Sequence, residues 1–223
     1  MKQMTNIFKA ETSPLKKEAG TNTLSEDFQK VHLHNDISTE KDEDTAVLCA
    51  DLETLHKNPR FADVILKLGE REFPAHKVIL ASRSKVFEAM FEHDMQENQQ
   101  DAVSLVEMEV GTIEDMLSYI YCSKVRQLSP EEALKLYVAA DRYDLQGLVL
   151  KCRKIMLSGL SIDNICDISA VADLHNDQLL IDAVKSLLSK DAKKLLMTDK
   201  WLMFSKENPL LALNLVQSVI LGH

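Results

Sequence analysis

The spacing of apolar residues changes along this chain, and that change constrains the fold more than any other feature. Over residues 64–68, apolar side chains recur at every second position, which is the period of a half-buried strand. From residue 128 onward they recur at every third or fourth position, which is the period of amphipathic helices. The sequence therefore predicts an α+β fold in which a small sheet flanked by helices is followed by an all-helical region.

Two strands are predicted to form a hairpin over residues 63–73. Gly69-Glu70 separates its two halves, and glycine takes the first turn position, where a two-residue type II′ turn needs a positive φ. A brief alternation at Val103 and Leu105 indicates a third strand. The sheet is thus expected to be small.

Several helices carry explicit start and stop signals. The run Ser129-Pro130-Glu131-Glu132 combines an N-cap, a proline at the first helical position and a capping-box glutamate. Ser84 and Thr112 are placed to cap two earlier helices, and Ser158-Gly159 is placed to end a later one. Further helices are expected near 46–56, 130–142, 145–157, 162–174, 177–189 and 191–197, with a last one from 208 almost to the terminus.

Composition separates an N-terminal arm from the rest of the chain. Residues 1–45 are rich in charged and hydroxyl side chains and show no sustained periodicity, so we expect a disordered or loosely structured arm. The predicted sheet and its helices follow, and past residue 128 the chain is predicted to be entirely helical.

Charge and hydropathy exclude several classes of partner. The 223 residues carry a net charge of -9, and no basic stripe interrupts the acidity, so nucleic acid is not an expected partner. Apolar runs of about 18 residues are absent, and the first residues lack a stretch of signal-peptide length. We therefore expect no membrane contact and an intracellular location, in the nucleus, the cytoplasm or both.

Signatures of catalysis and of metal binding are missing from the sequence. No phosphate-binding loop, nucleophile elbow or zinc-protease motif is present, and the expectation is that the protein is not an enzyme and uses no cofactor. The H-x-H of His32 and His34 lacks a third ligand, so no metal site is predicted there. His76 could pair with a cysteine as base and nucleophile, but a hydrogen-bonded structural histidine is favoured.

The four cysteines stand far apart and form no C-x-x-C pair, which disfavours both a zinc framework and a disulfide scaffold. We expect buried or idle thiols at Cys49, Cys122, Cys152 and Cys166.

Two charged residues fall at unexpected places. Asp63 opens an otherwise apolar strand, and Lys77 directly precedes an apolar helical run. Buried charges need partners. Either the two residues pair or line a pocket together, or each points outward, and periodicity alone leaves both arrangements open.

Several segments together resemble the signature of BTB/POZ domains and are similar, more narrowly, to the speckle-type POZ protein group. The resemblance covers residues 46 to about 215 and implies a BTB/POZ domain over residues 46–157, followed by a three-box or BACK-like helical region over residues 158–223. Its motifs are Phe61-Ala62-Asp63-Val64, residues 73–84, Val86-Phe87, Met90-Phe91, residues 91–97, Tyr119-Ile120-Tyr121, residues 139–145, residues 172–175 and Lys200-Trp201.

The resemblance implies a function and a set of site residues. Members of that group are non-catalytic substrate adaptors of cullin-3 RING ubiquitin ligases, acting in protein ubiquitination and proteasomal degradation. Met95-Gln96-Glu97 matches the hydrophobic-x-Glu motif that binds cullin-3, through Met95 and Glu97. Asp63 and Lys77 match a charged pocket found in many BTB folds. The homodimer positions correspond to Leu48, Leu52, Leu55 and Ile79.

Substrates of the group are held by a MATH domain, and residues 1–45 cannot form its eight-stranded sandwich. The expectation is a fragment or a natural short form. The leading function is the cullin-3 adaptor. An alternative is a regulatory BTB partner that heterodimerises with MATH-containing paralogues and limits their substrate capture. A transcriptional-repressor module is weaker, because no zinc-finger spacing follows the BTB-like segment.

Overall fold

The computed structural model describes residues 43–92 and 101–221. Apart from residues 43–46, the elements discussed below lie within the compact unit Val47–His223. Ten helices and three strands occur within the described residues, so the predicted small sheet followed by helices is present.

The sheet has the strand order β2-β1-β3. Strand β1 (Val64–Leu68) pairs with β2 (Arg71–Ala75) in antiparallel fashion, with Leu66 opposite Phe73. Gly69 lies in the turn with a φ of +57°, so the predicted hairpin is confirmed, although β2 runs two residues past Phe73. The third strand, β3 (Ala102–Ser104), pairs with β1 in parallel, which requires the crossover that the intervening helices supply.

Helix α1 occupies residues 43–57, and it ends at Asn58-Pro59 as predicted. Helices α2 (Lys77–Arg83) and α3 (Lys85–Glu92) follow the hairpin. Ser84 caps α3, since its hydroxyl oxygen accepts from the Phe87 amide at 3.2 Å. The same hydroxyl donates to the Tyr143 carbonyl at 2.6 Å and so joins α3 to the end of a later helix.

Helix α4 (Val110–Cys122) passes through the core, where most of its side chains are buried. The prediction that Thr112 caps this helix is wrong, because α4 begins two residues earlier and Thr112 is buried inside it. Glu109 takes the cap position in an extended conformation without a side-chain cap. Met108 lies against the core just before the helix, and tertiary packing of this kind can override a local capping signal.

Helices α5 (Pro130–Arg142) and α6 (Gln146–Ser158) form a helical hairpin. The capping box at the start of α5 is confirmed, because Ser129 and Glu132 each accept a hydrogen bond from the other's backbone amide. Gly159 ends α6 at the predicted position.

The last four helices are α7 (Ile165–Leu174), α8 (Gln178–Leu196), α9 (Asp199–Glu207) and α10 (Pro209–Leu221). The two helices predicted over 177–197 are merged into α8, which is kinked at Asp191. Helix α9 was not predicted, although Thr198 caps it by accepting from the Trp201 amide at 3.1 Å. Thr198 as an N-cap and Asp199 in the first turn are the sequence signals that indicate the start of this helix.

A buried carboxylate joins three of these helices. Asp177 accepts from the Tyr137 hydroxyl of α5 at 2.7 Å and from Arg153 Nε of α6 at 2.6 Å, and it caps α8 through the Leu180 amide. Burial alone would raise the pKa of Asp177, but the hydrogen bonds from Tyr137 and Arg153 outweigh it and hold that pKa below its ordinary value. The ionised carboxylate therefore stabilises the folded state.

We expect Asp177→Asn to lower the free energy of unfolding at pH 7 by about 2–3 kcal/mol, because it leaves the Arg153 guanidinium without its counter-charge. The stabilisation that the lowered pKa of Asp177 provides is fully present at pH values above 3.8, the ordinary pKa of this carboxyl group. It is lost as the pH falls through the pKa of the folded state. Urea unfolding at pH 7 and at pH 3 should therefore show a smaller difference from the parent at pH 3. Asp173→Asn, at an exposed carboxylate of α7, is the control. An equal difference at both pH values would contradict the proposed linkage.

Candidate protein-interaction surfaces

Helix α1 carries the predicted apolar stripe at the edge of the fold. Leu48 is 58% exposed, Leu52 is half-buried, and Leu55 packs against the core. The stripe therefore turns from solvent toward the interior along the helix. Val47 is exposed beside it.

Helix α2 carries a further exposed apolar residue. Val78 is 74% exposed, whereas its neighbour Ile79 is half-buried and lies against the core. We call the exposed and half-exposed set the α1–α2 surface; it consists of Val47, Leu48, Leu52 and Val78. Ile79 and Leu55 are half-buried and pack against the core.

Tyr121 of α4 holds α1 and α2 in place. Its ring lies 5.0 Å from the His56 ring of α1, centroid to centroid, and its hydroxyl accepts from the His76 amide at 3.1 Å. The hydroxyl also lies 2.7 Å from His76 Nδ1, while His76 Nε2 lies 2.7 Å from the Arg60 carbonyl. A carbonyl can only accept, so in the neutral ring Nε2 carries the proton and Nδ1 accepts from Tyr121. Burial raises the pKa of Tyr121 to about 12, which keeps the hydroxyl able to donate.

His76 is thus a structural histidine with both ring nitrogens occupied, as the sequence favoured over a catalytic role.

Three of the cysteines are buried, and burial raises the pKa of Cys152 to about 12 and also raises the pKa of Cys122 and of Cys166. Such thiols are protonated and unreactive at neutral pH. All four cysteines are free.

We expect Tyr121→Phe to lower the free energy of unfolding by about 1–3 kcal/mol, because the buried His76 amide and Nδ1 would lose their partner. Urea denaturation followed by circular dichroism measures this loss. Ser118→Ala removes a hydroxyl from the same helix and should change stability by less than about 0.5 kcal/mol. Equal stability of Tyr121→Phe and the parent would show that the Tyr121 hydroxyl does not hold α1 and α2 in place.

Asp63 and Lys77 are neighbours, but they do not pair through their charges. The Asp63 carboxylate accepts from the Lys77 backbone amide at 2.8 Å, at the start of α2. The Lys77 ammonium instead forms an ion pair with Asp101 at 2.7 Å. Asp101 directly precedes β3. The sequence did not identify it as the partner of Lys77, because the two residues are 24 positions apart and no local pattern connects them. Asp63 is exposed and Lys77 is half-buried.

A groove lies between the segment before α4 and one face of α5. Its cavity of about 400 Å³ has an apolar floor that includes Met108, Leu134 and Val138. Two ion pairs cross it, Lys135 with Glu109 at 2.6 Å and Arg142 with Glu107 at 3.0 Å. Because its charged groups are already paired with one another, the groove is suited to an apolar side chain of a partner and offers no free acid–base pair.

Several predicted residues lie outside the described part of the chain. Met95 and Glu97, the predicted cullin-binding pair, fall in 93–100, and His32 and His34 fall in 1–42. Among the described residues no cluster of three potential ligands could hold a metal ion. In the same part of the chain, no helix combines the length and the hydropathy needed to cross a membrane.

Comparison with known proteins identifies a domain within the compact unit. The family model described as BTB/POZ domain matches residues 52–160. TD and POZ domain-containing protein 4 of Mus musculus is 36% identical over 160 residues, which cover 71% of this chain and 43% of that protein. The BTB domain of zebrafish PATZ1 aligns with a TM-score of 0.44 and 28% identity over 52% of this chain and 92% of the other. The chain therefore spans less than half the length of its curated relative.

A BTB/POZ domain is present in this chain, and the predicted fold class is confirmed. BTB domains dimerise and mediate protein–protein interactions, and they are typically non-catalytic. The comparisons point to no enzymatic family. The exposed apolar surface and the partnered charges described above fit an interaction module.

Proposed function

We propose that this chain, with its BTB/POZ domain over residues 52–160, is a non-catalytic adaptor of a cullin-3 RING ubiquitin ligase. It would dimerise through the α1–α2 surface and offer one cullin site on each copy. In this proposal the chain belongs to the speckle-type POZ group, residues 46–157 form the BTB part, and residues 158–223 form the three-box or BACK-like part.

The observation that carries the dimer is the exposure of the α1–α2 surface. Leu48 and Val78 are both more than half exposed, and both lie on elements that Tyr121 ties to the core. An apolar surface on rigid elements is suited to association, because little conformational entropy is lost when it is covered. An interface of roughly 1,200–2,000 Å² in total would be of the usual size for a stable dimer.

The cullin contact is supported by a sequence motif within the BTB/POZ match. An apolar side chain at Met95 can fill a pocket on the partner, while the carboxylate at Glu97 fixes the orientation through donors at the rim. The similarity to the speckle-type POZ group supports cullin-3 as that partner. Ubiquitin transfer itself would belong to the other subunits of the ligase.

Leu52→Asp should convert the dimer to a monomer, because it places a charge in the apolar surface that the dimer would bury. Light scattering at micromolar concentration measures the mass, and circular dichroism should show unchanged helicity. The matched control is Leu150→Asp, at an exposed leucine of α6, which should remain dimeric. A monomeric parent chain would exclude this mode of association.

Replacing both Met95 and Glu97 by alanine should weaken binding to the N-terminal domain of cullin-3. Loss of a pocket-filling anchor alone is expected to cost about 1–3 kcal/mol. Calorimetric titration of the dimer with the cullin domain measures the change. Gln96→Ala with Asn98→Ala, in the same segment, should bind as tightly as the parent. The motif would be excluded if the two double variants had the same affinity.

A further inference from the structure

One face of helix α1 lies against the C-terminal end of α4. Cys49, Glu53 and His56 follow one another at positions i, i+4 and i+7, so they share this face of the helix. The His56 ring lies 5.0 Å from the Tyr121 ring, and the Glu53 carboxylate forms an ion pair with Lys124. Two of the three residues on this face therefore have partners at the end of α4, and we call this contact the α1–α4 junction.

Two cysteines lie at the α1–α4 junction. Cys122 is the last residue of α4 and is 5% exposed, whereas Cys49 is half-buried and packs against the core. Burial is the main cause that raises the pKa of Cys122, and the negative charges of Glu53 and of a Cys49 thiolate raise it further. The pKa of Lys124 is raised chiefly by its hydrogen bond with Glu53, and thiolates at Cys122 and Cys49 add to that effect. The Cys49 sulfur is therefore within electrostatic reach of both Cys122 and Lys124.

The other two cysteines have no such thiol neighbour within the described part of the chain. Burial is the main cause that raises the pKa of Cys152 and of Cys166, and the charges that act on them come from aspartates and, for Cys166, from Lys200. Cys49 and Cys122 are thus the two thiols that the fold places together.

We propose that Cys49 and Cys122 form an intramolecular disulfide when the chain meets a peroxide, and that this bond tethers α1 to α4. The half-buried Cys49 reacts first. Its sulfur attacks one oxygen of hydrogen peroxide, the O–O bond breaks, and a sulfenic acid forms while the other oxygen leaves as water with the thiol proton. The Cys122 sulfur then attacks the Cys49 sulfur, the S–O bond breaks, and the hydroxide leaves as water with the Cys122 proton. Two thiols lose two electrons and two protons, and the peroxide is reduced to two waters.

Proximity compensates for the protonated state of Cys122. A buried thiol reacts slowly with reagents from solution, but a neighbour held in the same fold attacks at a high effective concentration. The bond fixes the helix that carries Leu48 and Leu52 of the α1–α2 surface. It forms within one copy of the chain and does not depend on the proposed dimer.

The test treats the full chain with hydrogen peroxide, blocks free thiols with N-ethylmaleimide and digests with trypsin without reduction. Cleavage after lysine and arginine places Cys49 in peptide 42–57 and Cys122 in peptide 86–124, and the other two cysteines fall in different peptides. Mass spectrometry should find 42–57 joined to 86–124, in protein that migrates as a single chain on a non-reducing gel. Dithiothreitol should separate the two peptides.

Cys49→Ala should abolish the linked peptide, and Cys166→Ala, at another cysteine, should retain it. Peroxide treatment of the parent in urea, above its unfolding midpoint, should give mixed pairs because the fold no longer selects one. Linkage between two chains, pairing of Cys49 with Cys152 or Cys166 in the folded protein, or oxidation of Cys49 without a linked peptide would each overturn the inference.

The tether itself is measured by stability. The oxidised parent should unfold at a higher urea midpoint than the reduced parent, because closing the chain between positions 49 and 122 lowers the entropy of the unfolded state. The same treatment should leave the midpoint of Cys49→Ala unchanged. A lower midpoint for the linked parent would overturn the tether, since the bond would then distort the α1–α4 junction. A monomeric parent that still forms the linked peptide would exclude the proposed dimer and leave this inference standing.

Discussion

The hydroxyl of Tyr121 makes the polar contacts on which the arrangement of the BTB/POZ domain, residues 52–160, depends. It accepts from the amide of His76 and donates to the ring of the same residue, and the ring then donates to Arg60. In this way a single side chain of α4 connects the end of β2, the start of α2 and the loop after α1. Each of these groups is buried or partly buried, so losing one partner would leave the next without a hydrogen bond.

That chain of contacts explains why an apolar surface can remain exposed on a stable unit. Leu55 and Ile79 face the core and secure α1 and α2, while Leu48 and Val78 remain open to solvent. The helices that carry the surface are therefore held by packing and hydrogen bonds within one copy of the chain. Rigid apolar residues lose little entropy on association, which is the property an interaction module requires.

The helical region is joined to the BTB half by a different kind of contact. Asp177 receives hydrogen bonds from Tyr137 of α5 and Arg153 of α6, and it also begins α8. A buried ion pair of this kind adds little net stability compared with apolar packing, but it is strongly destabilising when one partner is removed. It therefore specifies how the helices after α6 meet α5 and α6.

The sequence by itself determined the elements whose signals are local. Alternation over 64–68 with Gly69 predicted the hairpin, and Ser129 with Glu132 predicted the start of α5, because hairpin turns and capping boxes depend on residues only a few positions apart. Only the tertiary structure decided the rest. Thr112 lies inside α4, and Lys77 pairs with Asp101 instead of Asp63, because packing between distant segments outweighs a local cap or a local charge. The exposure and positive φ of Phe61 also depend on the tertiary structure. The preceding residue, Arg60, is held by a hydrogen bond to His76, and such a contact between distant residues leaves no periodic pattern in the sequence.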